Sequence, residues 1–76
     1  MSHIIAINNT TEDIHISTTN ISGVSGGSNE WYTLKVGESH TWTRTGKEVI
    51  RFARSPTPGV LVETILGVPN TTVNIY

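Results

Sequence analysis

Apolar and β-branched residues fall in short runs along the chain, and polar or Gly/Pro-containing turns separate them. No stretch keeps a helical period for a useful length, whereas strict alternation recurs, as a half-buried strand requires. The pattern predicts strands near residues 3–8, 12–18, 30–35, 39–44, 47–54, 60–66 and 71–76. Their number and spacing predict an all-β fold, a compact antiparallel β-sandwich or small barrel of about six to seven short strands.

Alternation also assigns faces. Ile14 and Ile16 point one way against Asp13, His15 and Ser17, and Val73 and Ile75 oppose Thr72, Asn74 and Tyr76. Two runs are apolar on both faces. "HIIAI" sets Ile4 with Ala6 and Ile5 with Ile7, and "VLVETI" sets Val60 and Val62 against Leu61 and Ile65. Such strands are expected either in the centre of a sheet or beneath a partner chain, and two of them in a small chain predict a homo-oligomer. Gly23, Gly26 and Gly27 mark the longest connection as the most mobile one, and Pro56 and Pro58 stiffen the turn "SPTPG".

At 76 residues the chain is expected to form one domain, 1–76, with a thin core and a narrow stability margin. It contains no cysteine, so neither a disulfide staple nor a thiolate metal site is expected, and a cytoplasmic setting, or else stabilisation by self-association, is expected. The N-terminal "MSHIIAINN" has no export-signal pattern, and no run is long enough to cross a bilayer as a helix. The Asn-x-Ser/Thr acceptors at Asn8, Asn9, Asn20 and Asn70 then carry no meaning unless the chain is exported. Five Lys plus Arg against six Asp plus Glu give a net charge of −1, too little to steer a polyanion. Nucleic acid is therefore not an expected partner, and no membrane insertion is expected.

The stretch "GGSNEWYTLKVGESHTWTR", Gly26 to Arg44, holds both tryptophans. Tyr32 shares a face with Leu34, so Trp31 turns outward if Leu34 turns inward. Trp42 is in line with His40 and Arg44, opposite a wholly polar face, and is the better core candidate; His40 and Arg44 should then reach water at the edges. An outward Trp31 beside a Gly-rich loop suits a sugar platform, because a flat ring covers the C–H face of a pyranose while amide, carboxylate and guanidinium groups meet its hydroxyls. The plainer alternative packs Trp31 against its neighbours or a subunit. Arg51 is expected to pair with Glu63 or Glu48 or to meet an acidic sugar, and Arg54 is a rim candidate.

Little else carries chemistry. His3, His15 and His40 have no ligand spacing, Glu12 and Asp13 read as a solvated turn, and neither metal nor cofactor is expected. The chain lacks a nucleophile elbow, a phosphate loop and a dinucleotide fingerprint, and a deep cleft for a pair among Glu30, Glu48 and Glu63 is hard to house, so no enzyme is expected.

Together "IAINNTTEDIHI", "GGSNEWYTLKVGESHTWTR" and "VIRFAR" resemble small cysteine-free β-sandwich proteins of mushroom fruiting bodies, across roughly residues 4–54. The resemblance implies a lectin-like, defence-related fungal protein, oligomeric and cytoplasmic. The leading expectation is accordingly a lectin that binds glycans or glycoconjugates through shallow sites repeated by symmetry, with Asn29, Glu30, Trp31, Arg44, Arg51 and Arg54 as candidate contacts. The alternative is a structural or protein-interaction β module without sugar binding, and a membrane-active toxin is a more distant third.

Overall fold

The computed structural model describes residues 2–55 and 59–76, so the turn expected at Pro56 and Pro58 lies outside the described residues. Seven strands form two sheets: β1 (His3–Asn8), β2 (Ile14–Thr18), β3 (Tyr32–Leu34), β4 (Ser39–Thr43), β5 (Glu48–Ala53), β6 (Val62–Gly67) and β7 (Thr71–Ile75). One sheet runs β4-β1-β7 and the other β3-β2-β5-β6. No helix occurs among the described residues, so none is long and apolar enough to cross a membrane. The arrangement is the expected sandwich, with one departure from antiparallel pairing: β1 and β7 run parallel.

Alternation places the core. Ile4, Ala6, Trp42 and Ile75 from the first sheet meet Ile14, Ile16, Leu34, Ile50 and Phe52 from the second in a single buried cluster. The doubly apolar β1 is the central strand of its sheet, paired with β4 on one side and β7 on the other within the same chain. It therefore needs no partner chain, which corrects the homo-oligomer expected from it.

Turn chemistry accounts for the connections. Gly37 takes φ 77° in the "KVGE" turn, a conformation that a β-carbon disfavours, and its N–H donates to Asn8 O at 2.8 Å. Asn70 takes φ 66° before β7, as asparagine tolerates better than most side chains. Gly67 is small for another reason: a Cβ there would lie 3.1 Å from Ile4 Cγ2 and 3.2 Å from Ile50 Cδ1. Gly67→Ala is expected to overpack the junction of the two sheets and cost about 1–3 kcal/mol in urea unfolding.

The strand expected at residues 30–35 shortens to Tyr32–Leu34. Upstream of it the chain folds into a loop held by side chains: Asn20 Nδ2 donates to Val24 O at 3.0 Å, and Ser17 Oγ donates to Asn29 O at 2.8 Å. These bonds replace the ladder that a longer strand would have made.

Candidate functional site

Four polar residues fall on inward phases of the apolar alternation and are fully buried: Asn8, Thr18, Arg44 and Glu48. Glu48 accepts from Thr19 Oγ1 at 2.7 Å, Ile21 N at 2.7 Å, Ser22 N at 2.9 Å and Ser22 Oγ. Arg44 Nε donates to Thr19 O at 3.0 Å, Nη1 to Thr43 O at 2.8 Å and Nη2 to Ser28 O, with Nε 3.9 Å from the Glu48 carboxylate. The pair thus pins the 19–28 loop onto the end of the sandwich. Burial raises the Glu48 pKa, but the Ser22 and Thr19 hydroxyls and the Ser22 and Ile21 amides outweigh it and hold the carboxyl at about 2.

The outward Trp31 and inward Trp42 are as expected: Trp31 is 45% exposed and Trp42 3%. The remaining sugar-contact candidates do not assemble with Trp31 into an open site. Arg44 is buried and spent on backbone carbonyls, where the sequence had suggested a solvent-reaching rim residue. Arg51 lies over the Trp31 ring, 5.5 Å from its centroid, and donates to Ser17 Oγ at 2.6 Å, not to Glu48 or Glu63. The guanidinium thus occupies a ring face that a sugar would need. Arg54 donates to Glu63 Oε2 at 2.6 Å and Tyr76 O at 2.8 Å, and its pKa is raised by that bond to Glu63. Asn29 is exposed but its carbonyl accepts from Ser17, and Glu30 is exposed at the loop end.

The other aromatic side chains of this end pack on one another. Tyr32 stacks on His40 with centroids 4.7 Å apart, and His40 meets Trp42 edge-on at 4.8 Å. Among the described residues no group of three or more His, Asp or Glu could hold a metal, so a cation-bridged sugar site is not available either. The expected glycan-binding lectin with symmetry-repeated aromatic and arginine sites is therefore overturned, and the lectin, fungal and defence associations have no support.

A different feature stands at the opposite edge of the sandwich. Leu61, Val62, Ile65 and Leu66 are exposed at 78%, 48%, 37% and 58%, making half of the large exposed apolar side chains among the described residues one short segment. Three other strands end sheets, and each is polar or short: β4 exposes Ser39 and Thr41, β7 exposes Thr71, Thr72 and Asn74, and β3 has three residues. Among the described residues only β6 is both long and apolar along a free edge. It carries no proline, lysine or arginine, the usual devices that blunt such an edge.

The ladder phase fixes which β6 peptide groups are free. Thr19 N donates to Val49 O at 3.1 Å, so residues 49, 51 and 53 turn their peptide groups toward β2 and residues 48, 50 and 52 toward β6. Opposite those sit Gly67, Ile65 and Glu63. The N–H and C=O groups of Val62, Thr64 and Leu66 consequently point away from β5 along the free edge. Ile65, opposite the core residue Ile50, lies on the inner face beside the gap between β6 and β7, where Val73 is half-buried. Sequence reading found the doubly apolar run but not its position at an edge.

No family model matches the chain, and neither a curated protein nor a solved structure matches it. What survives of the resemblance to the mushroom proteins is a small all-β domain whose two sheets form a sandwich.

Proposed function

We propose that this chain is a protein-interaction module that takes an extended segment of a partner protein along the free edge of β6. The observation that carries the reading is the run of outward N–H and C=O groups at Val62, Thr64 and Leu66, bordered by exposed Leu61, Val62, Ile65 and Leu66. An added strand satisfies those groups through main-chain hydrogen bonds, and its alternate side chains lie against Val62 and Leu66 on one face and Ile65 and Val73 on the other. The partner segment is therefore apolar on both faces, that is, at successive positions. Net charge contributes little, because Glu63 beside the edge is already paired with Arg54. No catalysis is part of this reading, and a cytoplasmic setting, suggested by the cysteine-free sequence, belongs to the same proposal.

Thr64→Pro separates edge pairing from general stickiness. Its N–H faces away from β5, so proline removes a donor that the fold does not use and sits where edge strands tolerate it. Peptides selected from a random displayed library on the wild-type protein should show short runs of successive apolar residues and lose affinity at least about tenfold on the Thr64→Pro protein, as loss of a hydrogen bond and steric exclusion together require. Unchanged affinity would overturn the reading. So would self-association that Thr64→Pro abolishes, since the edge would then belong to a second copy.

A further inference from the structure

The inner face of β6 is uneven along the proposed edge. Ile4, Ile14, Ile16 and Ile50 point into the sandwich and are fully buried, whereas Ile65, on the same inner face opposite Ile50, is 37% exposed. The side of the sandwich is open at that point. β6 and β7 end the two sheets, touch each other and are joined by the turn at residues 68–70, and Val73, opposite Ala6 on the inner face of β7, is only half-buried. The inner positions on either side of Ile65 are closed. Glu63 Oε2 accepts from Arg54 Nε at 2.6 Å, and that guanidinium lies over the Phe52 ring, 5.4 Å from its centroid, so an ion pair covers the core there. At Gly67, Ile4 and Ile50 already fill the space in which a Cβ would stand.

The outer face divides differently. Val62 pairs with Ala53 and Leu66 with Val49, whereas Thr64 pairs with Arg51, whose guanidinium turns away toward Ser17 and Trp31. Apolar cross-strand pairs thus flank a polar one. The edge is also bounded, because the next carbonyl in phase, Val68 O, accepts from Thr71 N at 3.1 Å and Thr71 Oγ1 at 2.6 Å. Pairing therefore ends at Leu66.

Resting on the strand-addition reading above, we infer that the edge Val62–Leu66 selects a five-residue antiparallel segment that is apolar at its first, second and fifth positions, the second being a large aliphatic residue. Antiparallel pairing continues the β5–β6 ladder and is the more stable kind per residue. In that direction the first residue lies opposite Leu66, the second opposite Ile65 and the fifth opposite Val62, and directly opposed residues share a face. The second side chain enters the opening beside Ile65. The third meets Thr64 and the fourth meets the Glu63–Arg54 pair, so neither position selects for apolar character. Ile65 is the specificity-determining residue of the edge.

The test is selection of short peptides from a random displayed library on the full chain, followed by an alanine scan of the best binder against wild type, Thr64→Pro and Ile65→Ala. The enriched pattern should be apolar-apolar-x-x-apolar, and alanine at the second position should weaken binding at least about tenfold, against less than about threefold at the fourth. On Ile65→Ala, with folding checked by urea unfolding, the second-position loss should shrink to about threefold or less, since both sides of one contact are then gone. The wild-type scan stands without that variant. Losses spread evenly over the positions, or an undiminished second-position loss on a folded Ile65→Ala protein, would overturn the inference while weakened binding to Thr64→Pro still upheld strand addition. Binding untouched by Thr64→Pro would remove strand addition and this inference with it. The reversed pattern, apolar-x-x-apolar-apolar, would overturn the antiparallel direction.

Discussion

Glu48→Ala is expected to leave the domain largely unfolded at room temperature. The alanine removes the acceptor for four donors, from Thr19, Ile21 and Ser22, and strips the buried Arg44 guanidinium of its nearby anion. Breaking such a pair from one side costs about 3–5 kcal/mol, against a total of roughly 5 kcal/mol for domains at the low end of the stability range. Circular dichroism against urea measures it. Glu48→Gln keeps the shape and one acceptor oxygen, so it should fall between alanine and wild type.

The same carboxylate sets the acid limit of the fold. Its folded pKa of about 2 lies below the ordinary value of 4.5, so its contribution is fully present above that value and is lost as the pH falls toward 2. The loss amounts to something on the order of 3 kcal/mol over that interval. Urea midpoints at successive pH values should fall steeply there in the wild type, and the fall should be much shallower in Glu48→Gln. Parallel curves would show that another group governs acid unfolding.

Asn8→Asp is the second large effect. Asn8 Nδ2 donates to the carbonyls of Glu12 and Leu34, both at 2.9 Å, while Oδ1 accepts from Thr10 N at 2.9 Å and Thr10 Oγ1 at 2.6 Å. One side chain thereby joins the β1–β2 turn to the end of β3. Aspartate has the same outline but faces two carbonyl oxygens with a third, which deletes two hydrogen bonds and sets a charge in a fully buried position. The cost should be roughly 3 kcal/mol or more, equivalent to a melting point lower by at least about 12 °C. The aspartyl variant should recover part of it at acid pH, where the protonated carboxyl can donate once. A variant that melts within a few degrees of wild type at neutral pH would contradict the assigned bonding.

These residues also mark how far the sequence could be read. Strand positions and the inward Trp42 followed from alternation, because side chains two apart share a face whatever the strand pairs with. Asn8 is in phase with Ile4 and Ala6, Arg44 with Trp42, and Glu48 with Ile50 and Phe52. That phase was a signal that these polar groups enter the core. A lone cation or carboxylate at a strand end more often reaches water, and all but one of the carbonyls and amides that satisfy this pair come from a distant loop, Thr19 to Ser28, whose path alternation does not encode. Arg51 was equally opaque: its partner Ser17 lies on a neighbouring strand, and only the β2–β5 register brings them together.

The β6 edge shows the same limit from the other direction. A run apolar on both faces suits a central strand as well as a sticky edge, and the choice depends on pairing order. In this chain "HIIAI" became the centre of its sheet and "VETILG" an edge. Half of the large exposed apolar side chains of the described residues thus lie on β6 and the residue before it, and the proposed function rests there in place of the aromatic and arginine cluster that alternation favoured.

Amide hydrogen exchange, read residue by residue in the presence and absence of a library-selected peptide, tests the edge most directly. Strand addition predicts slowed exchange at the outward amides of Val62, Thr64 and Leu66, with those of Glu63, Ile65 and Gly67 already protected by β5 in the free protein. Protection confined to the 23–28 loop, or none on β6, would contradict the account.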